Sequence, residues 1–156
     1  MRRPLLGTCT SPGQDGRCFP HHRLTHRLHA AMNLVRMQLA AGDHAIDARV
    51  ARTDEQRALG LMHRVELGPN EGMLFMCDEA AVQNFWMKDT PVALSIAFLE
   101  EDGTILHLDD LEPFSLESCS SEHAVRYILE VPHGWFAEHG IRKGDRITGP
   151  VFAVTA

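Results

Sequence analysis

The chain has 156 residues, 44% hydrophobic and 23% charged, which is the composition of one ordinary globular domain and excludes a fibrous or wholly disordered protein. Its formal net charge of −6 is a composite: residues 1–31 hold five arginines and one aspartate, a net +4, while residues 32–156 hold 10 basic and 20 acidic residues, a net −10. The acidic body repels a nucleic-acid backbone, and no stretch reaches the roughly 18 to 20 apolar residues of a spanning helix, so neither nucleic acid nor membrane is an expected partner.

Residues 1–31 are rich in Gly, Pro, Ser, Thr and His without apolar periodicity, which predicts a disordered tail. His21, His22, His26 and His29 fall within it, but no apolar face would fix them as a helical metal site. Met1-Arg2-Arg3 resembles the start of an export signal, yet Leu5-Leu6 falls short of the about 7 to 15 apolar residues such a signal needs. A cytoplasmic protein with free thiols at Cys77 and Cys119 is therefore expected. Met32, just before the first patterned segment, is an alternative start of translation.

From Leu34 the pattern changes. Leu34–Ala40 and His44–Ala51, joined by Ala41-Gly42-Asp43, predict a hairpin. Thr53-Asp54-Glu55-Gln56 is a capping box, and Ala58, Leu61, Met62 and Val65 recur at helical spacing, so a short helix is expected over 53–64. After Gly68-Pro69-Asn70 come strands at Met73–Cys77, Asn84–Met87 and Ala93–Leu99. In the last, Leu94, Ile96 and Phe98 face one way and Ala93, Ala97 and Leu99 the other, which predicts a strand covered on both faces. Strands follow at Thr104–Leu108 and Val125–Val131, with Val125, Tyr127, Leu129 and Val131 assigned to one face. A helix over 133–139, opened by Pro132 and stopped by Gly140, precedes a bent edge strand, Arg146–Thr148 and Val151–Val154, broken by Gly149-Pro150. The predicted fold is α+β and mainly β: a single compact antiparallel sheet closing toward a small barrel, with two short helices, over 32–156.

Gly60-Leu61-Met62, Gly72-Met73-Leu74-Phe75, Phe85-Trp86-Met87-Lys88-Asp89-Thr90-Pro91, Leu129-Glu130-Val131-Pro132-His133-Gly134 and Gly140-Ile141 to Gly144-Asp145 follow one another in a characteristic order. In these blocks the chain resembles the bacterial and archaeal domain of unknown function 192 family, over about residues 34 to 152. The resemblance brings no established activity with it, and it implies that relatives often carry an export signal. Three positions depart from the family pattern: Asp89 stands where Asn is common, Ser95 where Asp is frequent, and Pro132-His133 where a small apolar pair is usual. If Asp89 and Ser95 line one pocket, the negative charge has moved and not vanished.

The leading functional expectation is a small-ligand or protein-binding module with a site around Trp86 to Thr90. Arg57, Trp86, Lys88, Asp89 and Glu130 are its candidate residues, and a small polar molecule or peptide its partner. One alternative is a hydrolytic or transfer enzyme using Lys88 as base or nucleophile with Glu130 beside it. Another is a metal or redox role through Met62, Met73, Met76, Met87 and Cys77, with Cys119 exposed in a polar loop. Plainer readings compete with each: ion pairs of Lys88 with Glu130 or Arg126 with Asp89, methionines as core packing, and Phe85 and Phe114 in the core. No metal is assigned, the cofactor is unknown, and no nucleophile elbow, phosphate-binding loop or HExxH motif occurs.

Overall fold

The computed structural model describes residues 34–152 and a two-residue strand, β1 (Arg3–Pro4). The readings made for the rest of residues 1–33, including the four histidines and the alternative start, and for Ala153 and Val154 lie outside the described residues. The further elements are β2 (Val35–Ala41), β3 (His44–Ala51), α1 (Asp54–Leu59), β4 (Glu71–Trp86), β5 (Leu94–Leu99), β6 (Ile105–Leu111), β7 (Cys119–Pro132), α2 (Trp135–Glu138) and β8 (Ile147–Thr148). They form one mainly β domain whose sheet runs β6-β5-β7-β4-β3-β2-β8, with β1 against the far end of β4. This is the expected fold class.

The sheet is antiparallel except where β3 and β4 run parallel, from Asp47 opposite Glu71 to Ala51 opposite Phe75. A parallel neighbour needs a crossover, and α1 lies in it. The capping box forms as expected: the Gln56 amide donates to the Thr53 hydroxyl at 3.1 Å and the Thr53 amide to the Gln56 side chain at 3.2 Å. Helix α1 stops at Gly60 (φ 49°), earlier than the expected end near 64.

The two strands expected at Met73–Cys77 and Asn84–Met87 are one, β4. Its polar middle stays paired with β7 by slipping register between Met76 and Ala81 and again between Val82 and Asn84. These slips interrupt the period-two alternation. Val125, assigned to one face with Tyr127, Leu129 and Val131, packs instead with Phe75, Phe85 and Ile128, whereas the other three lie in the second cluster. Strand β7 also begins earlier than expected, so Cys119 is half-buried in a strand and not exposed in a loop.

Strand β5 is buried along its whole length. Leu94, Ile96 and Phe98 enter a cluster that includes Leu59, Leu61 and Met62 from α1 and the turn after it, while Ala97 and Leu99 enter a second cluster with Leu39, Ile46, Trp135, Phe136 and Ile147. The second cluster takes residues from both free edges of the sheet, Ile105 and Ile147, and so fills the inside of the curl. There the edges meet: Ile105 N–H donates to Asp145 O (2.8 Å), Gly144 N–H to Ile105 O (2.9 Å) and Ile147 N–H to Gly103 O (2.9 Å). Gly103 (φ 91°) allows this approach, since a Cβ there would lie 2.0 Å from the Ile147 carbonyl oxygen.

Candidate functional site

The Trp86–Thr90 segment is a backbone junction. Thr90 N–H donates to Met87 O (3.1 Å), closing a turn, and the chain on either side is tied down by Met87 N–H to Ser115 O (2.8 Å), Phe114 N–H to Thr90 O (3.0 Å) and His63 N–H to Asp89 O (2.8 Å). Asp89 sits inside that turn with φ 56°, in the left-handed region that Asn and Asp tolerate best among side-chain-bearing residues. This gives a conformational reason for Asp at this position. Lys88 and Asp89 are exposed, and the Lys88 ammonium lies 5.4 Å from the centre of the Trp86 ring, a cation–π contact.

The other two candidates sit elsewhere. Arg57 is 4% exposed and consumed by structure: its guanidinium donates to Met76 O (2.6 Å) and to Arg52 O, and pairs with Asp54, fastening α1 to β4. Glu130 is fully buried, opposite Met73 and Ile96, near the start of β4, whereas Lys88 follows the far end of that strand. Glu130 thus lies inside the sheet, whereas Lys88 and Asp89 are at the surface. Arg126, considered a partner for Asp89, instead pairs with Glu101 (3.1 Å) and donates to Cys77 O (3.2 Å). Phe85 is in the core as expected, but Phe114 is 62% exposed.

Three clefts among the described residues are lined by none of those five candidates. Two of them share the Asp109-Asp110 pair near the end of β6, which no sequence motif marks. One, about 270 Å³, lies between α2 and β6, walled by Ser95, Asp109, Asp110 and Gly134 with Leu108, Phe136 and Ile141 as apolar surface. Ser95, opposite Asp110 in register and only 3% exposed, accepts from Gly134 N–H (3.0 Å) and donates to Asp110 Oδ1 (2.6 Å). Its hydroxyl thus holds a carboxylate at the cleft mouth and ties the start of α2 to the sheet. His133 Nε2 stands 3.8 Å from the other Asp110 oxygen. Asp89 does not line this cleft. The carboxylate beside Ser95 comes from Asp110, across the strand pair.

A second cleft, about 180 Å³, lies on the other side of the pair, lined by Met87, Asp109, Glu112, Ser115 and Cys119 among others. The Cys119 thiol donates to Asp109 Oδ2 (3.3 Å), and burial pushes the Cys77 thiol pKa up. Met62, Met73 and Met87 pack in the first cluster, Cys77 against its edge, and Met76 against the second.

Fold and cleft define a small, mainly β domain: a curled sheet covered outside by one helix, with a carboxylate-rimmed cleft beside the second. The chain belongs to the domain of unknown function 192 (DUF192) family, described as an uncharacterized ACR, whose family model matches residues 37–149. Among solved structures it is similar to a protein from Sinorhizobium meliloti that carries a provisional description as a transcription regulator (33% identity, TM-score 0.69, 73% of this chain and 92% of that one). It is also similar to a protein of unknown function from Novosphingobium aromaticivorans (29% identity, TM-score 0.68, 74% of this chain and 84% of that one). No curated protein matches it. Among the described residues no helix is long and apolar enough to cross a membrane.

Proposed function

We propose that this domain binds a small polar molecule bearing a positive charge, in the cleft between β6 and α2. The observation that carries the reading is Ser95, a buried hydroxyl that fixes Asp110 at the cleft mouth while accepting from Gly134 N–H. A carboxylate whose rotamer is already set loses little freedom on binding a cation, and Leu108, Phe136 and Ile141 offer apolar surface for the ligand's stem. The volume of about 270 Å³ suits a fragment-sized molecule, at the small end of ligand sites. The transcription-regulator description of the Sinorhizobium protein is not carried over, because residues 32–156 hold a net −10, which repels phosphate. Neither nucleic acid nor membrane belongs to the reading, which places the protein in the cytoplasm.

Thermal unfolding with L-arginine, agmatine, ethanolamine and putrescine tests it. A ligand at one hundred times its Kd stabilises by about 2.7 kcal/mol, which for a chain of this size raises Tm by roughly 5 to 10 °C. At least one of these cations is expected to do so in the wild type and not in Asp110→Asn. No rise for any of them, or equal rises in both proteins, rejects the reading.

A second reading places a peptide at the Trp86–Thr90 segment, favoured by the exposed Phe114 and Leu116 on the loop bonded to Thr90 and by Lys88 over the Trp86 ring. Peptide binding lost in Trp86→Ala and kept in Asp110→Asn distinguishes it from the first.

A further inference from the structure

Outside both sites, the turn between β2 and β3 meets the end of α2 through a pair of histidines. The ring centres of His44 and His139 are 4.4 Å apart with planes at 63°. His139 is stacked on Trp135 at 4.2 Å, and Trp135 is buried and anchored by its indole N–H donating to Asn70 Oδ1 (3.1 Å). His139 Nδ1 lies 2.7 Å from Trp135 O. A carbonyl only accepts, so in the neutral ring Nδ1 carries the proton and Nε2 keeps its lone pair. A backbone carbonyl fixing one ring nitrogen in this way is the usual second-shell partner of a metal-ligating histidine. His44 is exposed and His139 half-buried, so both can be reached from solvent.

We infer that His44 and His139 form a binding site for a divalent transition-metal ion, with Cu²⁺ the strongest binder. Metal–nitrogen bonds of about 2.0–2.1 Å put each imidazole centre roughly 3.2 Å from the ion, so two rings at right angles stand about 4.5 Å apart and two at the tetrahedral angle about 5.2 Å. The 4.4 Å spacing is short enough for one ion to bridge the two rings, and the order of divalent-ion affinities for imidazole puts Cu²⁺ first. Among the described residues no third His, Cys, Asp or Glu completes a set, so water fills the remaining positions and the ion is open to solvent.

Trp135 reports on the site, because a paramagnetic ion held by His139 quenches the indole stacked on it. The chain has two tryptophans, so the full-length Trp86→Phe protein, excited at the red edge where tyrosine does not absorb, leaves Trp135 as the sole emitter. Titrating it with copper(II) sulfate at neutral pH is expected to quench that emission saturably and EDTA to restore it. Adding His44→Gln or His139→Gln is expected to abolish the saturable quench while the far-ultraviolet circular dichroism stays that of the folded domain. Because His44 lies at an exposed turn, its variant separates ligand loss from misfolding. Trp135 emission unchanged by copper, or a quench that survives His44→Gln, overturns the inference.

Discussion

Replacing Ser95 by alanine removes two hydrogen bonds at once, and the structure says which of them matters for stability. The Gly134 amide loses its acceptor, which costs about 1 kcal/mol when no water replaces it. Asp110 also loses a donor at 2.6 Å. A hydrogen bond to a charged group contributes about 1.5–3 kcal/mol when buried, but the Asp110 side chain is 63% exposed, so water replaces most of it. The sum is about 1–2 kcal/mol, or a Tm lower by roughly 2 to 8 °C. Asp110→Ala, which leaves Ser95 bonded to Gly134, is expected to cost under about 0.5 kcal/mol, within the range of surface changes. Ser95→Asp sets a second carboxylate against the first and is expected to destabilise at neutral pH, whereas Ser95→Asp combined with Asp110→Ser recovers most of the loss by exchanging charge and hydroxyl across the strand pair. Urea unfolding followed by circular dichroism measures all four. If Ser95→Ala proves no more costly than Asp110→Ala, or the exchange recovers nothing, Ser95 is not the element that couples β5, β6 and α2.

Four further outcomes follow from the same reasoning. Arg57→Met strips hydrogen bonds from two backbone carbonyls and is expected to cost about 2–4 kcal/mol, with Arg57→Lys recovering only part because an ammonium lacks the fork; a urea midpoint close to wild type contradicts the account. Asp89→Asn and Asp89→Gly are expected to be near neutral and Asp89→Ala to cost about 1 kcal/mol, since φ 56° penalises an unassisted Cβ; thermal unfolding checks the order. Gly103→Ala, whose Cβ would lie 2.0 Å from Ile147 O, is expected to open the seam and raise hydrogen exchange at Ile105 and Ile147 first. Glu71 supplies the pH dependence. Burial opposes its ionisation, but the Gly68 amide and the Arg64 and Arg49 guanidiniums outweigh burial and hold its carboxyl below the ordinary 4.5. A lowered carboxyl pKa contributes stability that is complete above about 4.5 and lost as pH falls through the lowered value. Glu71→Gln should therefore be less stable than wild type at pH 7, with the gap narrowing below pH 4.5 in acid titrations of the unfolding midpoint.

Local patterns made much of the fold legible. The alternation in Leu94–Leu99 foretold burial on both faces, and Thr53 with Gln56 foretold where α1 begins. The reading failed where partners distant in sequence decide. The acidic, alanine-rich middle of β4 has the look of a turn but is held extended by β7 across two register slips, and those slips moved Val125 to the other cluster. The parallel placement of β3 beside β4 leaves no mark in either strand's own alternation. For the site, the distinctive Trp86–Thr90 block drew attention through its composition, while its backbone bonds to Ser115, Phe114 and His63 lay beyond sequence. The weaker clue was Ser95. A polar residue in the middle of an apolar strand needs a partner, and the carboxylate two positions beyond Leu108 on the neighbouring strand supplied it.

The proposed ligand site between β6 and α2 is open to a direct test. A ¹H–¹⁵N correlation spectrum of the full-length protein, titrated with the cation that most raises Tm, addresses it residue by residue. Saturable shifts are predicted at Ser95, Leu108, Asp110, Gly134 and Phe136, with Lys88 and Asp89 unmoved. Shifts confined to Trp86–Thr90, or a spectrum unchanged throughout, would contradict it.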